Sequence, residues 1–357
     1  MRHVVGIAGT AKNTGKTTTL QAVARHLRAE GRSVFLTSIG YDGEDLDNLT
    51  GLPKPKVTVD EGDRVATALP LFEVASARFT GLTFTGANCA LGPVYSGCAV
   101  TPGKVVVAGP ASTQDVATIL STVPSECVAL LDGALSRLAP MSLATEIVIA
   151  TGAARNEDPH YLARDLAGIA CVMSLPGLAG AGTTAIRVPG GLFAEGSEKV
   201  LTALLETQVI PRGLPASGPA LRVVIEGPVN PDLLMNVLRS VERMSLRFSF
   251  VASHPVDLLL SGDHTVWPTV FAEAAKGGHG LFVRRPASLL GFTVSPYVPR
   301  FNPRGGGYSA HILPARPFLE AVRAGVSVNC TDIVLEGPDI LESWLRSLTF
   351  ALVPVNV

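Results

Sequence analysis

Residues 9–18 read Gly9-Thr10-Ala11-Lys12-Asn13-Thr14-Gly15-Lys16-Thr17-Thr18. They follow a short β-branched run, Val4 to Ala8, which predicts a buried strand. They open a segment, Thr17 to Glu30, whose apolar side chains recur at helical spacing until Gly31 ends the pattern. The sequence therefore predicts a strand, a glycine-containing loop and a helix in direct succession.

This loop has the composition of a phosphate-binding loop. Gly15 would let the backbone wrap closely around phosphate oxygens, while loop amides and the helix N-terminus supply partial positive charge. Lys16 would reach the β- and γ-phosphates of a nucleotide, and the Thr17 hydroxyl would bind Mg²⁺. We expect the nucleotide to contact Gly9, Thr10, Lys12, Asn13, Thr14, Gly15, Lys16, Thr17 and Thr18.

The loop departs at one position from the usual pattern, G-x-x-x-x-G-K-[ST]. That pattern places its first glycine at position 10, where this chain has Thr10, with Gly9 one residue earlier. The alternative interpretation is an ordinary glycine-rich turn between a strand and a helix. The start of a helix at Gly15-Lys16-Thr17-Thr18 favours the phosphate loop.

One carboxylate stands where a metal ligand is expected. Asp132 follows the apolar run Cys127 to Leu131, and the carboxyl ends of parallel strands face the ligand crevice of an open sheet. We expect Asp132 to bind Mg²⁺ and to act in catalysis. The alternative is a plain turn at Asp132-Gly133.

A second acidic group follows the next predicted strand, Ser33 to Ile39. Asp42 and Glu44 could hold Mg²⁺ through water, and Asp42 is also a catalytic candidate. A solvated acidic loop is the alternative interpretation of this pair.

The only indication of which base the nucleotide carries is the absence of a guanine-binding motif from residues 151–156. Residues 151–156, after the predicted strand Ile147 to Ala150, occupy the place where GTPases carry N-K-x-D. Their sequence, Thr-Gly-Ala-Ala-Arg-Asn, has no guanine-reading lysine and aspartate pair. The expected cofactors are therefore ATP and Mg²⁺.

Composition narrows the choice of partners. The 357 residues are 47% hydrophobic and carry a net charge of −1. Apolar runs are short, none approaching the ~18 residues of a membrane span, and no basic stripe points to nucleic acid. Met1-Arg2-His3 leads directly into the first strand without a signal-peptide pattern, and the five cysteines are widely spaced. We expect a cytoplasmic protein that binds neither nucleic acid nor membranes.

Strand and helix patterns alternate along much of the chain, which predicts an α/β fold with a parallel sheet. A stretch at 80–103 reads as a hairpin, and Lys104 to Ala108 reads as a strand. The length suggests two domains, and 211–219, rich in proline and glycine, is the linker candidate. We predict a P-loop NTPase domain at 1–210 and a second α/β domain at 220–357 that would bind a partner.

The loop variant G-T-x-x-x-x-G-K-T resembles the loop of dethiobiotin synthetase and its relatives, the class that includes MinD, ParA and metal-delivery GTPases. The resemblance covers about the first forty residues and implies an NTPase. A homodimer is one oligomeric state that it allows. Many relatives carry a second lysine five positions before the loop lysine. Here that position is Ala11, and Lys12 lies one residue later.

Short phrases along the rest of the chain resemble the smaller reactivase-type accessory protein of the adenosylcobalamin-dependent lysine 5,6-aminomutase and ornithine aminomutase. This resemblance implies an ATP-dependent chaperone that exchanges damaged cobalamin on a partner mutase. The phrases are 38–44, 50–56, 131–135, 150–154, 294–296 and 318–322.

Three functions remain open from the sequence. The first is an ATPase that reactivates or remodels a partner cobalamin-dependent aminomutase. The second is an ATP-dependent ligase or small-molecule kinase like dethiobiotin synthetase, with Lys54 or Lys56 binding an acidic substrate. The third is a nucleotide-sensing module that switches without turnover.

Overall fold

The computed structural model describes residues 3–40, 56–134, 139–178, 185–209, 221–244, 246–260, 262–302 and 307–346. The strands are β1 (Val4–Gly9), β2 (Ser33–Ser38), β3 (Val57–Val59), β4 (Arg64–Ala68), β5 (Phe79–Cys89), β6 (Gly92–Ala99), β7 (Gly103–Val105), β8 (Cys127–Ala134), β9 (Glu146–Gly152), β10 (Ala185–Pro189), β11 (Leu221–Glu226), β12 (Phe248–Ala252), β13 (Gly280–Val283), β14 (Ser288–Ser295), β15 (Tyr297–Asn302), β16 (Gly307–Ile312) and β17 (Cys330–Thr331). The helices are α1 (Lys16–Ala29), α2 (Leu69–Glu73), α3 (Thr113–Ser121), α4 (Pro159–Met173), α5 (Ser197–Val209), α6 (Pro231–Val241), α7 (Pro255–Leu259), α8 (Trp267–Lys276), α9 (Ala315–Ala324), α10 (Ile333–Glu336) and α11 (Leu341–Leu345).

A nine-stranded, mostly parallel sheet dominates the fold, in the order β17-β14-β9-β1-β8-β2-β4-β6-β5. The strands from β17 to β4 run parallel to their neighbours, whereas β6 and β5 form an antiparallel edge. The predicted α/β fold class with a parallel sheet is confirmed. The hairpin predicted at 80–103 is also confirmed, as β5 and β6.

The central strands are apolar on both faces because helices cover the sheet from both sides. In β1, Val5 and Ile7 join the core cluster that contains Leu20 and Leu27 of α1. The alternate residue Ala8 joins the other cluster, which contains side chains of α4 such as Leu166. Short apolar runs in the sequence therefore correspond to buried parallel strands.

A second, four-stranded parallel sheet has the order β10-β11-β12-β13. The chain returns through α5, α6 and α8 between its successive strands. β14 and β17 follow this unit in the sequence, yet they lie in the nine-stranded sheet beside β9.

The domain boundary predicted at 210–220 does not coincide with a boundary between the two sheets. It falls between α5 and β11, within the succession of elements that builds the four-stranded sheet. The large sheet takes strands from both predicted domains, because β14 pairs with β9 along its whole length. The small sheet is thus inserted in the sequence between strands of the large one.

The strand predicted at Lys104 to Ala108 is wrong in its length and in its place in the fold. The structure has a shorter strand, β7, that pairs antiparallel with β3 outside the nine-stranded sheet. Its apolar Val105 is buried against Val57, so burial without a place in the main sheet explains the apolar pattern. Among the described residues, the structure shows no helix that combines the length and apolar character needed to cross a membrane.

Candidate functional site

Residues 10–15 connect β1 to α1 and form a tight loop at the carboxyl edge of the large sheet. Asn13 and Gly15 both have left-handed backbone conformations, with φ of 63° and 82°. Asparagine and glycine adopt this conformation at low cost, which explains their use here. Turns of this kind direct successive backbone amides to one side, which makes a concavity suited to anions.

Helix α1 begins at Lys16, and its N-cap residue is Gly15, which has no side chain to cap it. The first amides of this 14-residue helix therefore face the loop without a side-chain acceptor. Together with the helix dipole, they favour a negatively charged ligand at this point.

Lys16 and Asp132 form an ion pair, with 2.7 Å between Lys16 Nζ and Asp132 Oδ1. The pair forms because β1 and β8 are neighbours in the sheet, with Ile7 opposite Asp132. The lysine side chain passes over Gly9, where an added Cβ would lie 3.4 Å from Lys16 Cδ. Both charged side chains are partly exposed, at 29% and 19%, so a ligand can reach them.

Asp132 lies within β8 rather than after it. The strand continues to Ala134, and Gly133 pairs with Ala8, so the plain-turn interpretation of Asp132-Gly133 is wrong. The backbone of Asp132 also accepts a hydrogen bond of 2.7 Å from the Ile39 amide, just past β2. The chain therefore leaves β2 directly beside this aspartate.

The acidic candidates Asp42 and Glu44 lie outside the described residues, as does Lys54. Gly40 is the last described residue before this segment, and its amide donates to the Pro110 carbonyl at 2.9 Å. Lys56 is described and exposed, next to the start of β3.

Thr10, the residue that breaks the usual loop pattern, is buried and hydrogen-bonded. Its hydroxyl donates to Thr151 Oγ1 at 2.8 Å, and its amide donates to the Ala150 carbonyl at 2.9 Å. These bonds fix the start of the loop to the end of β9. A threonine at this position thus holds the loop against the neighbouring strand.

The other predicted loop residues occupy different environments. Thr14 is buried and its hydroxyl donates to the Ala11 carbonyl at 3.0 Å. Lys12 and Thr18 are exposed, whereas Asn13 and Thr17 are half-buried. The loop thus presents charged and hydroxyl groups at its surface around the amides of α1.

A cleft lies beside the loop, between the first turn of α1, the carboxyl end of β14 and the start of α10. The cleft is partly open to solvent. We call it the hydroxyl cleft; its polar lining is formed by Thr14, Thr18, Thr19, Thr293, Ser295 and Asp332.

Neither Ser295 nor Asp332 was predicted from the sequence as a site residue. Ser295 reaches the loop because the ends of β9 and β14 approach each other closely at Gly152. A Cβ on residue 152 would lie 2.0 Å from the Ser295 carbonyl oxygen, so only glycine fits at this position. Asp332 follows β17, whose two residues are too short to give a periodic signal. Asp332 could have been noticed in the sequence only as an aspartate before an apolar run, a pattern that is typical of a helix N-cap.

Asp332 is 3% exposed and caps α10 through its side chain. Its Oδ1 accepts hydrogen bonds from the amides of Val334 at 2.9 Å and Leu335 at 3.2 Å. Burial raises the pKa of Asp332 above 3.8, against the lowering effect of these two amides. The carboxyl group is thus held at the cleft in an environment that disfavours its charge.

Comparison with known proteins gives no family assignment. No protein-family model matches the chain, and no curated protein matches it.

Proposed function

We propose that this chain binds a nucleoside triphosphate with Mg²⁺ and hydrolyses it, with ATP as the nucleotide. The observation that carries the proposal is the ion pair of Lys16 with Asp132, at the start of an uncapped helix that follows a tight glycine-containing loop. Phosphoryl transfer needs positive charge, positioned amides and a metal ligand more than it needs covalent chemistry. These groups lie together at one edge of the sheet.

The Asp132 carboxylate holds the Lys16 ammonium group. Phosphate oxygens would compete with Asp132 for the lysine, and the amides of α1 and the loop would hold the remaining oxygens. Asp132 would then be released from its ion pair, and its carboxylate would face the bound phosphates. Binding of the nucleotide and completion of the metal site are therefore linked through one pair of side chains.

The residues present fit Mg²⁺, which prefers oxygen ligands and is commonly bound by one or two carboxylates together with substrate phosphates. Asp132 and the Thr17 hydroxyl would supply protein oxygens, and Asp42 and Glu44 remain further candidates. Within the described ranges, no group of three or more His, Cys, Asp or Glu side chains could hold a metal ion. When bound, Mg²⁺ would neutralise charge on the phosphates.

The biological role follows from the sequence resemblance alone. That resemblance supports an ATP-driven reactivation or remodelling of a partner cobalamin-dependent aminomutase. The geometry of the loop is equally suited to a ligase, a kinase or a nucleotide sensor, so no specific observation favours one of those alternatives.

Measurement of phosphate release from ATP tests the hydrolysis. We expect the wild-type protein to release phosphate only with Mg²⁺, and Asp132→Asn to lower kcat roughly 100-fold while changing the Kd for ATP far less. Asp339→Asn makes the same charge change at an exposed position, so it is the matched control and should keep the wild-type rate. A folded Asp132→Asn protein with the wild-type rate would contradict the proposal.

A further inference from the structure

The hydroxyl cleft adjoins the first turn of α1, so it lies next to the place where the proposed function puts the phosphates. Thr18, in that turn, lines the cleft together with Ser295 and Asp332. A group attached to the phosphates and lying on this side of the helix would enter the cleft. In a nucleotide, that group is the nucleoside.

Most hydroxyls of the cleft already have partners. Thr19 Oγ1 donates to the Gly15 carbonyl at 3.1 Å, so the 2.7 Å bond between Thr19 and Thr293 takes its proton from Thr293. Thr14 is likewise engaged with the loop backbone. Ser295 differs, because its Oγ accepts from the Tyr297 amide at 3.3 Å and donates to no acceptor within the described ranges. Its proton is therefore left for a ligand.

Asp332 has acceptor capacity that its structural role does not use. Both of its capping bonds end on Oδ1. Among the described residues, Oδ2 accepts no hydrogen bond. Asparagine or serine would cap α10 equally well, so the cap alone does not require a carboxylate. Oδ2 is also absent from the fully buried polar atoms that lack a partner, so it stays accessible to a hydrogen-bond donor on a ligand in the cleft.

We propose that Asp332 recognises the nucleoside of the bound nucleotide by accepting a hydrogen bond from one of its N–H or O–H groups. This inference rests on the proposed function, because the cleft adjoins the phosphate site. The donor is either a ribose hydroxyl or the exocyclic amine of the base. Asp332 is thus a specificity-determining residue that acts separately from the phosphate loop.

Equilibrium titration of Asp332→Asn tests this role. The asparagine oxygen can keep both capping bonds, while its NH₂ group replaces the acceptor Oδ2. We expect ATP to bind about 10- to 100-fold more weakly than to the wild type. Inorganic tripolyphosphate, which has no nucleoside, should bind both proteins equally.

Two analogues identify the donor on wild-type protein. 2′,3′-Dideoxy-ATP lacks both ribose hydroxyls, and purine riboside triphosphate lacks the 6-amino group. The analogue that has lost the donor should bind wild-type protein more weakly than ATP, and it should bind Asp332→Asn and the wild type with similar affinity. If Asp332→Asn weakens both analogues as much as it weakens ATP, neither group is the donor and the inference is wrong.

Two control variants separate recognition from folding. Asp332→Ser retains a capping hydroxyl without a carboxylate and should repeat the loss of ATP affinity. Asp339→Asn makes the same charge change at an exposed position and should bind ATP as the wild type does.

The results also separate this inference from the proposed function. Wild-type affinity for ATP in Asp332→Asn would overturn the inference and leave the proposed function intact. An equal loss for ATP and tripolyphosphate would overturn it as well, because Asp332 would then act through the loop. A wild-type protein that binds neither compound would overturn both.

Discussion

Lys16 and Thr10 show how individual residues shape the loop. Lys16 carries the positive charge at the start of α1, and Thr10 ties the loop to β9 through its hydroxyl and amide. Thr151, which receives the Thr10 hydroxyl bond, is itself fully buried. The threonine that departs from the usual motif is therefore part of the support of the site.

Replacing Thr10 by glycine would restore the usual motif and remove this support. We expect Thr10→Gly to lower the free energy of unfolding by about 1–2 kcal/mol, because a buried hydrogen bond is lost and a glycine is added. Urea unfolding measures this change. Thr10→Ser keeps the hydroxyl and should lose less; equal stability of Thr10→Gly and the wild type would contradict the role given to Thr10.

The residues of the site differ in how well the sequence predicted them. Lys16 was predicted from the glycine-lysine-threonine motif at the start of a helix, and Asp132 because it directly follows an apolar run. The two side chains lie 2.7 Å apart. Asp332 and Ser295 come from the far end of the chain, and only the pairing of β14 with β9 brings Ser295 to the loop. No local pattern encodes that pairing.

At the scale of elements, α7 has a capping box that couples the buried His254 to the half-buried Asp257. The Val256 amide donates to His254 Nδ1 at 3.1 Å, and the His254 amide donates to Asp257 Oδ2 at 3.0 Å. Burial lowers the pKa of His254 to about 4, aided by the charge of Arg285. Burial raises the pKa of Asp257 to about 6, against the His254 amide and Arg285.

These shifts have opposite effects on stability. The native state binds the Asp257 proton more tightly than the unfolded chain does, so this contribution is present at low pH and is lost as pH rises from 3.8 through about 6. The neutral His254 ring stabilises the native state above pH 6.5, and its contribution is lost as pH falls toward about 4. In the wild type the two effects partly cancel.

Asp257→Asn should reveal the histidine effect. The asparagine can keep the cap but cannot titrate, so stability should rise between pH 4 and 6.5 more steeply than in the wild type, with a difference of about 1–3 kcal/mol. Urea unfolding across this pH range measures it. Asp232→Asn, at an exposed position in the first turn of α6, is the control. Parallel pH profiles of Asp257→Asn and the wild type would contradict the assignment.

Most of the long elements follow from periodicity, whereas short ones do not. α1 was predicted within one residue at each end because it has a full apolar stripe. The strand predicted at 104–108 is shorter and pairs elsewhere, since an apolar run does not say which neighbour a strand takes.

At the scale of the whole molecule, a charged cluster around a buried aspartate connects α4 to the segment after β9 and to the turn before α8. Asp165 of α4 is fully buried and pairs with Arg155, which follows β9, at 3.3 Å. It also contacts His264 Nδ1 at 3.0 Å, in the turn that precedes α8. Burial raises the pKa of Asp165, but His264 and Arg155 outweigh it and hold that pKa below 3.8. Gly168 allows this contact, because a Cβ there would lie 1.8 Å from the His264 carbonyl oxygen.

Removing the charge of Asp165 should be costly. We expect Asp165→Asn to lower the free energy of unfolding by about 3–5 kcal/mol, because Arg155 and His264 lose their shared buried partner. Chemical unfolding provides the measurement. Glu157→Gln breaks the exposed pair of Glu157 with Arg300 and should cost less than about 1 kcal/mol. If both variants lose the same stability, the cluster does not hold the molecule together.

The arrangement of the whole chain was the least predictable level. The alternation of strands and helices indicated the α/β class, but the linker signal at 211–219 suggested a split that the sheets do not follow. A returning strand such as β14 has the same local sequence character whichever sheet it joins. Only long-range pairing, here Ser295 opposite Gly152, decides its place.

The central claim, that the loop around Lys16 binds the phosphates of ATP, is tested most directly by isothermal titration calorimetry. Mg²⁺–ATP is titrated into the wild type, Lys16→Ala and the exposed-lysine control Lys104→Ala, with folding checked by circular dichroism. We predict that the wild type and Lys104→Ala bind ATP alike, whereas Lys16→Ala loses about 100-fold or more in affinity. Wild-type affinity in a folded Lys16→Ala protein would contradict the account.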